Sequence, residues 1–303
     1  MIYVDVKGNL GNQLFIYAFA RNLQEKTGQK ICLNTTYLSK YFPDYTFSLD
    51  DYKLNENVYI ESKKNLPFFM NIYMLPIKVI IRLLKKNPII NKKFSIRLFN
   101  FLAKRGYFLW LQETYINFKI RPHKNYYVTG FWQSPKYFDY FSEELKKELT
   151  PQKEVLAYNR NFFDLIRHKE TICVTIRRGD YISNAKIKNS YYLCGPDFFY
   201  TGVKRLRDKY PDAIVICFSD DIEWVKTNLD FHCETYYESG NDPVWEKLRL
   251  MSACKHFVLS NSSFSWWAAY LSSRNGHVIA PSKWYVDNRQ VDIYREGWEY
   301  IEV

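Results

Sequence analysis

The sequence has no run of eighteen uninterrupted apolar residues, so it predicts no membrane-spanning helix. Its opening, Met1-Ile2-Tyr3-Val4-Asp5-Val6, lacks the basic stretch and cleavage motif of a secretory leader and reads as a short strand. Six cysteines (Cys32, Cys173, Cys194, Cys217, Cys233 and Cys254) include no C-x-x-C pair, and Cys173 and Cys217 fall inside apolar strand-like runs. The expectation is reduced thiols in a cytoplasmic protein. D-x-D is absent, and the five histidines lie far apart without ligand-like spacing, which argues against a divalent-metal clamp on phosphate. Neither G-x-x-x-x-G-K nor G-x-G-x-x-G occurs, and no recognised nucleic-acid module is visible.

What the chain has in quantity is apolar and aromatic side chains, 47% and 18% of 303 residues. They supply a large core and enough length for two domains of ordinary size. The formal charge of +11 is concentrated in one place. Residues 61–124 hold fourteen of the 43 lysines and arginines but only two of the 32 carboxylates, Glu61 and Glu113, so this segment carries the entire excess. Pro67, Pro76 and Pro88 punctuate it, and the pattern predicts short helices over 77–86 and 91–104 that mix Ile, Leu and Phe with Lys and Arg. Such helices fit an anionic membrane surface or a partner, and equally a solvated face over an ordinary helical insertion. Nucleic acid suits the charge, but without a module for it nucleic acid is not the expected partner.

The rest reads as α/β. Residues 2–6 predict a strand, Lys7 to Gln13 a turn with Gly8 and Gly11, and 14–23 a helix. The glycines permit close backbone approach, and the helix start around Gly11 and Asn12 offers N–H groups to an anion; a tight βα connection explains the same letters. A strand over 30–33 and a turn at Pro43-Asp44 follow. Residues 126–129 predict a strand that runs into the aromatic loop Phe131-Trp132, and a helix over 137–149 leads to Thr150-Pro151. The domain boundary is placed there, giving 1–150 and 151–303.

The second half alternates more cleanly. Helices are predicted over 155–167 and 196–209, after Asp220, from Asp242 as N-cap with Pro243 in the first turn, and from Ser262. Strands are predicted over 171–176, 213–218, 232–236, 256–259 and 277–280. This alternation specifies a parallel, doubly wound sheet, in which ligands sit beyond the carboxyl ends of the strands. Three loops then share one edge. The first, Arg177-Arg178-Gly179-Asp180-Tyr181, places two guanidiniums whose forked donors match a pyrophosphate, or else forms a surface turn with Asp180 as salt-bridge partner. The second, Ser219-Asp220-Asp221, has Asp220 and Glu223 in capping-box form; Asp220 or Asp221 is alternatively a carboxylate for the N1 and N2 donors of a guanine. The third brings Ser262 and Ser263 to a helix start, as cap or as phosphate seat.

These blocks resemble glycosyltransferase family 11, the α-1,2-fucosyltransferases. Gly8-Asn9-Leu10-Gly11-Asn12-Gln13-Leu14-Phe15-Ile16-Tyr17-Ala18 is similar to the family's G-G-L-G-N-Q-M-F-Q-Y-A, Arg177-Arg178-Gly179-Asp180-Tyr181 to its H-x-R-R-G-D-Y, and Ser260 to Ala269 to its N-S-S-F-S-W-W. Phe218-Ser219-Asp220-Asp221 with Trp224 is a fourth block. The resemblance spans nearly the whole chain, least well over 61–124. It implies a GT-B fold, two facing Rossmann-like domains with a helical basic insertion in the first and a GDP-sugar bound mainly to the second. It also implies inverting, metal-independent transfer of L-fucose from GDP-fucose to the 2-hydroxyl of a galactose-containing glycan, free or lipid-linked, in O-antigen-type surface glycan synthesis. Arg177 is expected on the β-phosphate, with Arg178 supporting the site; Asp180 is a base or an orienting carboxylate, and its arginine neighbours make it a poor base. No cofactor is implied. Thr175 stands where the family motif usually has His, and Asn9 replaces the second Gly of the first block. GDP-L-galactose or GDP-colitose as donor, or non-catalytic binding of a GDP-sugar, are the alternatives. The basic segment makes peripheral attachment to the inner face of the plasma membrane the accompanying expectation.

Overall fold

The computed structural model describes residues 1–36, 38, 45–61, 79, 92–287 and 289–303. Two compact units emerge, one of residues 1–49 and 54–142, the other of 50–53 and 143–303. The contact-based division thus falls within the first turn of the helix that precedes Thr150-Pro151. Residues 50–53 join the second unit because Tyr52 forms an antiparallel bridge with Pro151, flanked by Lys53 N–H to Thr150 O (3.1 Å) and Gln152 N–H to Asp51 O (2.8 Å).

The first unit comprises β1 (Ile2–Asp5), α1 (Leu10–Thr27), β2 (Ile31–Asn34), β3 (Val58–Glu61), α2 (Lys92–Ala103), β4 (Tyr107–Leu109) and β5 (Tyr126–Thr129). Its sheet is parallel in the order β3-β2-β1-β5-β4. The chain leaves β1 toward one edge and returns on its other side, so the order reverses beside β1. α1 is longer than residues 14–23 because Gly8, at φ 68°, turns the chain directly out of β1. A Cβ on Gly8 would also come 2.5 Å from the Asn12 amide nitrogen, so any side chain there would be strained and would displace Asn12. At the other end Gly28 closes the helix in the left-handed conformation, its N–H bonded to Gln24 O. Between the two, α1 is buried almost all round. Phe19 stacks on Trp132 at 3.7 Å, and Phe99 of α2 packs edge-on against Phe108, Trp110 and Trp132. This packing holds Trp132 at φ 57°, a left-handed backbone that costs a bulky residue about 1–3 kcal/mol. The basic segment is more than a helical insertion: Tyr107–Leu109 within it extends the sheet as β4. Apart from Val79, the expected helix over 77–86 lies outside the described residues, as does the turn at Pro43-Asp44.

The second unit comprises α3 (Ser142–Glu148), α4 (Arg160–His168), β6 (Thr171–Ile176), α5 (Gly179–Ser183), α6 (Ala185–Lys188), α7 (Pro196–Lys209), β7 (Ile214–Ser219), α8 (Ile222–Asn228), β8 (Thr235–Tyr237), α9 (Val244–Ser252), β9 (His256–Leu259), α10 (Ser263–Leu271), β10 (Val278–Pro281) and β11 (Glu299–Ile301). Its sheet is parallel in the order β11-β10-β9-β6-β7-β8, the doubly wound arrangement with the reversal between β6 and β9. Ile172 and Val174 of β6, Val215 of β7 and Val258 of β9 join Phe198, Val203 and Leu206 of α7 in one core. Several boundaries differ from expectation for local reasons. The helix over 137–149 breaks into 3₁₀ turns before α3, where Phe138 is pulled into the core against Phe15. His232 at φ 51° is incompatible with a strand, so β8 starts only at Thr235. Pro243, not Asp242, occupies the N-cap of α9, and Asp242 accepts the Tyr158 hydroxyl at 2.9 Å.

At the amino ends of these strands, buried His256 stacks on Tyr210 at 3.9 Å, accepts His277 N–H at Nδ1 and contacts Glu170 through Nε2 at 2.7 Å. Burial lowers the His256 pKa from its ordinary 6.5, and Glu170 only partly opposes this. For Glu170, burial acts upward, but bonds from Lys255 and His256 outweigh it and bring its pKa below 4.5. Both signs favour the unfolded chain in acid: His256 takes up its proton more readily when unfolded, and Glu170 holds its charge better when folded. Stability should therefore fall as pH drops through 6.5 and fall again below 4.5. Urea unfolding between about pH 7.5 and 5.5 checks the first step, which His256→Asn should flatten; an unchanged slope in that variant contradicts the assignment.

Candidate donor-binding site

β6 is buried at every position, and its last residue, Ile176, delivers Arg177 and Arg178 to the carboxyl edge of the sheet. Because β6 lies between β7 and β9, and Thr175 is in register with both Phe218 and Leu259, the loops after the three strands emerge side by side. The convergence expected from the alternation of strands and helices is therefore present, at the reversal point where open α/β sheets form a ligand crevice.

Within this edge the carboxylates are tied to the cations. Arg177 forms ion pairs with Asp180 (Nη2 to Oδ1, 2.8 Å) and Asp220 (Nη1 to Oδ2, 2.9 Å). The other oxygen of Asp220 accepts the backbone N–H of Arg178 at 2.8 Å. Arg178 lies flat on the Trp224 indole, 3.3 Å from the ring centre, with Nε 3.6 Å from Asp221 Oδ2. The mutual repulsion of the two guanidiniums is thus relieved by three carboxylates of the fold itself. Burial works against the charge of Arg177, but Asp220 and Asp180 outweigh it and raise the guanidinium pKa above its ordinary value. Each arginine retains N–H donors beyond those engaged here.

Asp221, not Asp220, caps α8, accepting Trp224 N–H at 3.4 Å. The capping-box reading assigned that role one residue too early, because β7 runs on to Ser219 and the next two residues form the turn. Ser219 bridges the strands, donating its hydroxyl to Ile176 O at 2.9 Å and accepting Asp221 N–H at 3.0 Å. On the other flank Thr175 Oγ1 accepts Ser260 N–H at 3.1 Å, which ties β6 to β9. Ser262 is the N-cap residue of α10 but makes no side-chain capping bond, and neither its hydroxyl nor that of Ser263 has a partner among the described residues. Asn261 is structural: its side-chain amide donates to Tyr192 O (2.6 Å) and Trp284 O (2.8 Å), and its backbone carbonyl accepts the Tyr181 hydroxyl at 2.9 Å. Gly11 and Asn12 belong to the first unit, where Gly11 is buried in the first turn of α1 and Asn12 Oδ1 accepts the Gln133 amide at 2.7 Å. Among the described residues no group of three or more His, Cys, Asp or Glu is arranged to hold a metal ion.

The stacking role of Trp224 and the clamp made by Asn261 were not legible beforehand. Trp224 stood in the fourth block that resembles the family, but nothing in that block indicated that its indole would carry Arg178. Asn261 matched the Asn of the family's N-S-S-F-S-W-W, but its place at a helix start did not indicate that its side chain would bind Tyr192 and Trp284.

Two parallel sheets, each reversing its strand order beside its first strand, are the architecture of a GT-B fold. The chain belongs to glycosyl transferase family 11, whose profile matches residues 1–302. It is 30% identical to the alpha-1,2-colitosyltransferase of Escherichia coli, over 100% of this chain and 99% of that protein. It is 22% identical to the human galactoside alpha-(1,2)-fucosyltransferase 1, over 56% of this chain and 49% of that one. Among solved structures, the NodZ alpha-1,6-fucosyltransferase co-crystallized with GDP superposes with a TM-score of 0.54 at 11% identity, covering 88% of this chain and 91% of that one.

Gly179 is required by approach rather than by its backbone angle, since a Cβ there would lie 2.8 Å from Asp220 Oδ2. Gly179→Ala should therefore displace a doubly held carboxylate and cost about 1–3 kcal/mol in urea unfolding. In an Asp220→Ala background the same substitution should cost almost nothing, and equal costs in both backgrounds contradict this account.

Proposed function

We propose that this chain transfers L-fucose from GDP-fucose to the 2-hydroxyl of a galactoside, by an inverting reaction that needs no metal. The observation that carries this reading is the arginine pair held at the exit of β6, one strand from a helix start with two unpartnered hydroxyls. In the reaction the bond between sugar C1 and the β-phosphate oxygen breaks, its electron pair leaving with GDP. The acceptor oxygen bonds C1 from the opposite face, and its proton passes to solvent. The intervening state has oxocarbenium character, so much of the stabilisation is needed on the departing diphosphate. Arg177 and Arg178 supply charge there, while Ser262, Ser263 and the N–H groups of α10 supply neutral donors.

The other carboxylates follow from this geometry. Asp180 and Asp220 hold the Arg177 fork at its two ends and act as positioning residues. Asp221, 41% exposed at its side chain, is the carboxylate open to the N1 and N2 edge of a guanine. Because Thr175 stands where the family motif has His, base recognition falls more heavily on Asp221. In this reading the enzyme works in the cytoplasm on a lipid-linked or free glycan during surface glycan synthesis. The relative named for colitose, 30% identical over the whole chain, favours GDP-colitose as a second donor.

The test is GDP release by the purified chain with β-galactoside acceptors, comparing GDP-fucose, GDP-colitose and GDP-L-galactose. GDP-fucose is expected to turn over fastest. Faster transfer from GDP-colitose moves the assignment to that sugar, and protection by GDP against melting with no turnover on any acceptor makes the chain a binder. Arg177→Lys keeps the charge but loses the fork, and should lower kcat by about 100-fold or more. Chelation with EDTA should leave turnover unchanged; restoration of an EDTA-abolished rate by a divalent cation refutes the metal-independent reading.

A further inference from the structure

The helix α2, with the sequence KKFSIRLFNFLA, contains no carboxylate, and its two faces differ in kind. The inner face is fixed: Ser95, Phe99, Leu102 and Ala103 are buried, and Phe99 packs against Phe108, Trp110 and Phe118. On the outer face Phe94 and Phe101 are 49% and 54% exposed. Seven residues apart, they lie on one line along the helix, about 10 Å from each other. Exposed Arg97 lies beside Phe94 on this face, and exposed Lys104 and Arg105 lie beside Phe101. Arg105 sits 3.9 Å over the Phe101 ring and donates to Phe101 O at 3.0 Å, so ring and cation are presented together. From residue 92 to residue 124 the chain has eight lysines and arginines against Glu113 alone.

We propose that this outer face of α2 docks the chain on an anionic lipid bilayer, with Phe94 and Phe101 at the acyl boundary and Arg97, Lys104 and Arg105 among the headgroups. Two rings on a common line reach the same depth in a plane, while the basic residues beside them match the sign of the surface. That combination of apolar insertion and cationic flanks is what an interfacial helix needs. A row of nucleic-acid phosphates would satisfy the cations and leave two exposed rings unused. The inference rests on the surface of the first unit and not on the donor assignment. It adds to that assignment a reason for action on acceptors held at a membrane.

Flotation with phosphatidylcholine vesicles, with and without phosphatidylglycerol, tests it. The full chain should float only with the anionic vesicles, and should be released at about 1 M salt, where screening reaches about 3 Å. Replacing Arg97 and Arg105 with Gln should lower the partition coefficient by about 25-fold, from about fivefold per basic residue removed. Phe94→Ser with Phe101→Ser should also abolish flotation, while melting temperature and turnover on a soluble acceptor match the unsubstituted chain. The unsubstituted chain failing to bind anionic vesicles overturns the proposal, as do variants that float equally well. A dimer in sedimentation that the phenylalanine variant dissolves assigns the face to a second copy instead. A lowered melting temperature in that variant with vesicle binding intact assigns the phenylalanines to the fold. Retention on heparin without retention on vesicles assigns the cations to a polyanion. Because soluble-acceptor turnover is measured separately, failure here leaves the transferase reading standing, and failure there leaves this one.

Discussion

The carboxylate of Asp220 is the contact on which the cationic edge depends. One oxygen holds the backbone of Arg178 and the other holds the guanidinium of Arg177, so one side chain from the β7 loop sets both the path and the charge of the β6 loop. Such bonds are strong because an ionised partner takes part and the strands beneath are buried. They also explain the glycine between the two arginines and Asp180: any side chain at position 179 would occupy the space of the Asp220 carboxylate. Ser219 and Thr175 make the same kind of tie on either side, fastening β6 to β7 and β6 to β9 just below the loops. A cationic site is thus built in which carboxylates of the fold hold two like charges adjacent.

In the first unit the corresponding position is made by different means. The turn after β1 is shaped by Gly8 in a left-handed conformation, with Asn12 folded over it. The loop after β5 reaches it through the bond from Gln133 to Asn12. Here aromatic packing does what ion pairs do in the second unit. Phe19 and Trp132 stack face to face, and that contact holds the strained backbone of Trp132 in place. In both units the reversal of strand order opens the sheet edge beside the first strand, and in both the nearby polar side chains are held by neighbours from the adjacent loop.

Long apolar runs with clear punctuation were readable in advance. The strands β6, β7, β9 and β10, the helices α7 and α10, and the meeting of three loops at one edge follow from periodicity and alternation. Short elements were not. β4 and β11 have three residues each, too few for any period, and exist because a neighbouring strand offers its free edge. Capping was readable to within a residue: both Asp220 and Asp242 were expected to begin helices that start later, since each carboxylate is drawn to a tertiary partner instead.

What the sequence determined by itself was the class of fold and the identity of the polar residues at its edge, because burial pattern and βα alternation are written in consecutive letters. It also located the charge excess in one segment. Only the tertiary structure decided how those residues divide their work. Asp220 and Asp221 are chemically the same and adjacent in the chain, yet one positions both arginines and the other caps a helix. Trp224 became the platform for Arg178 in the same way. These choices depend on distances between loops that are brought together by strand order, and strand order arises from packing the whole sheet rather than from any local run.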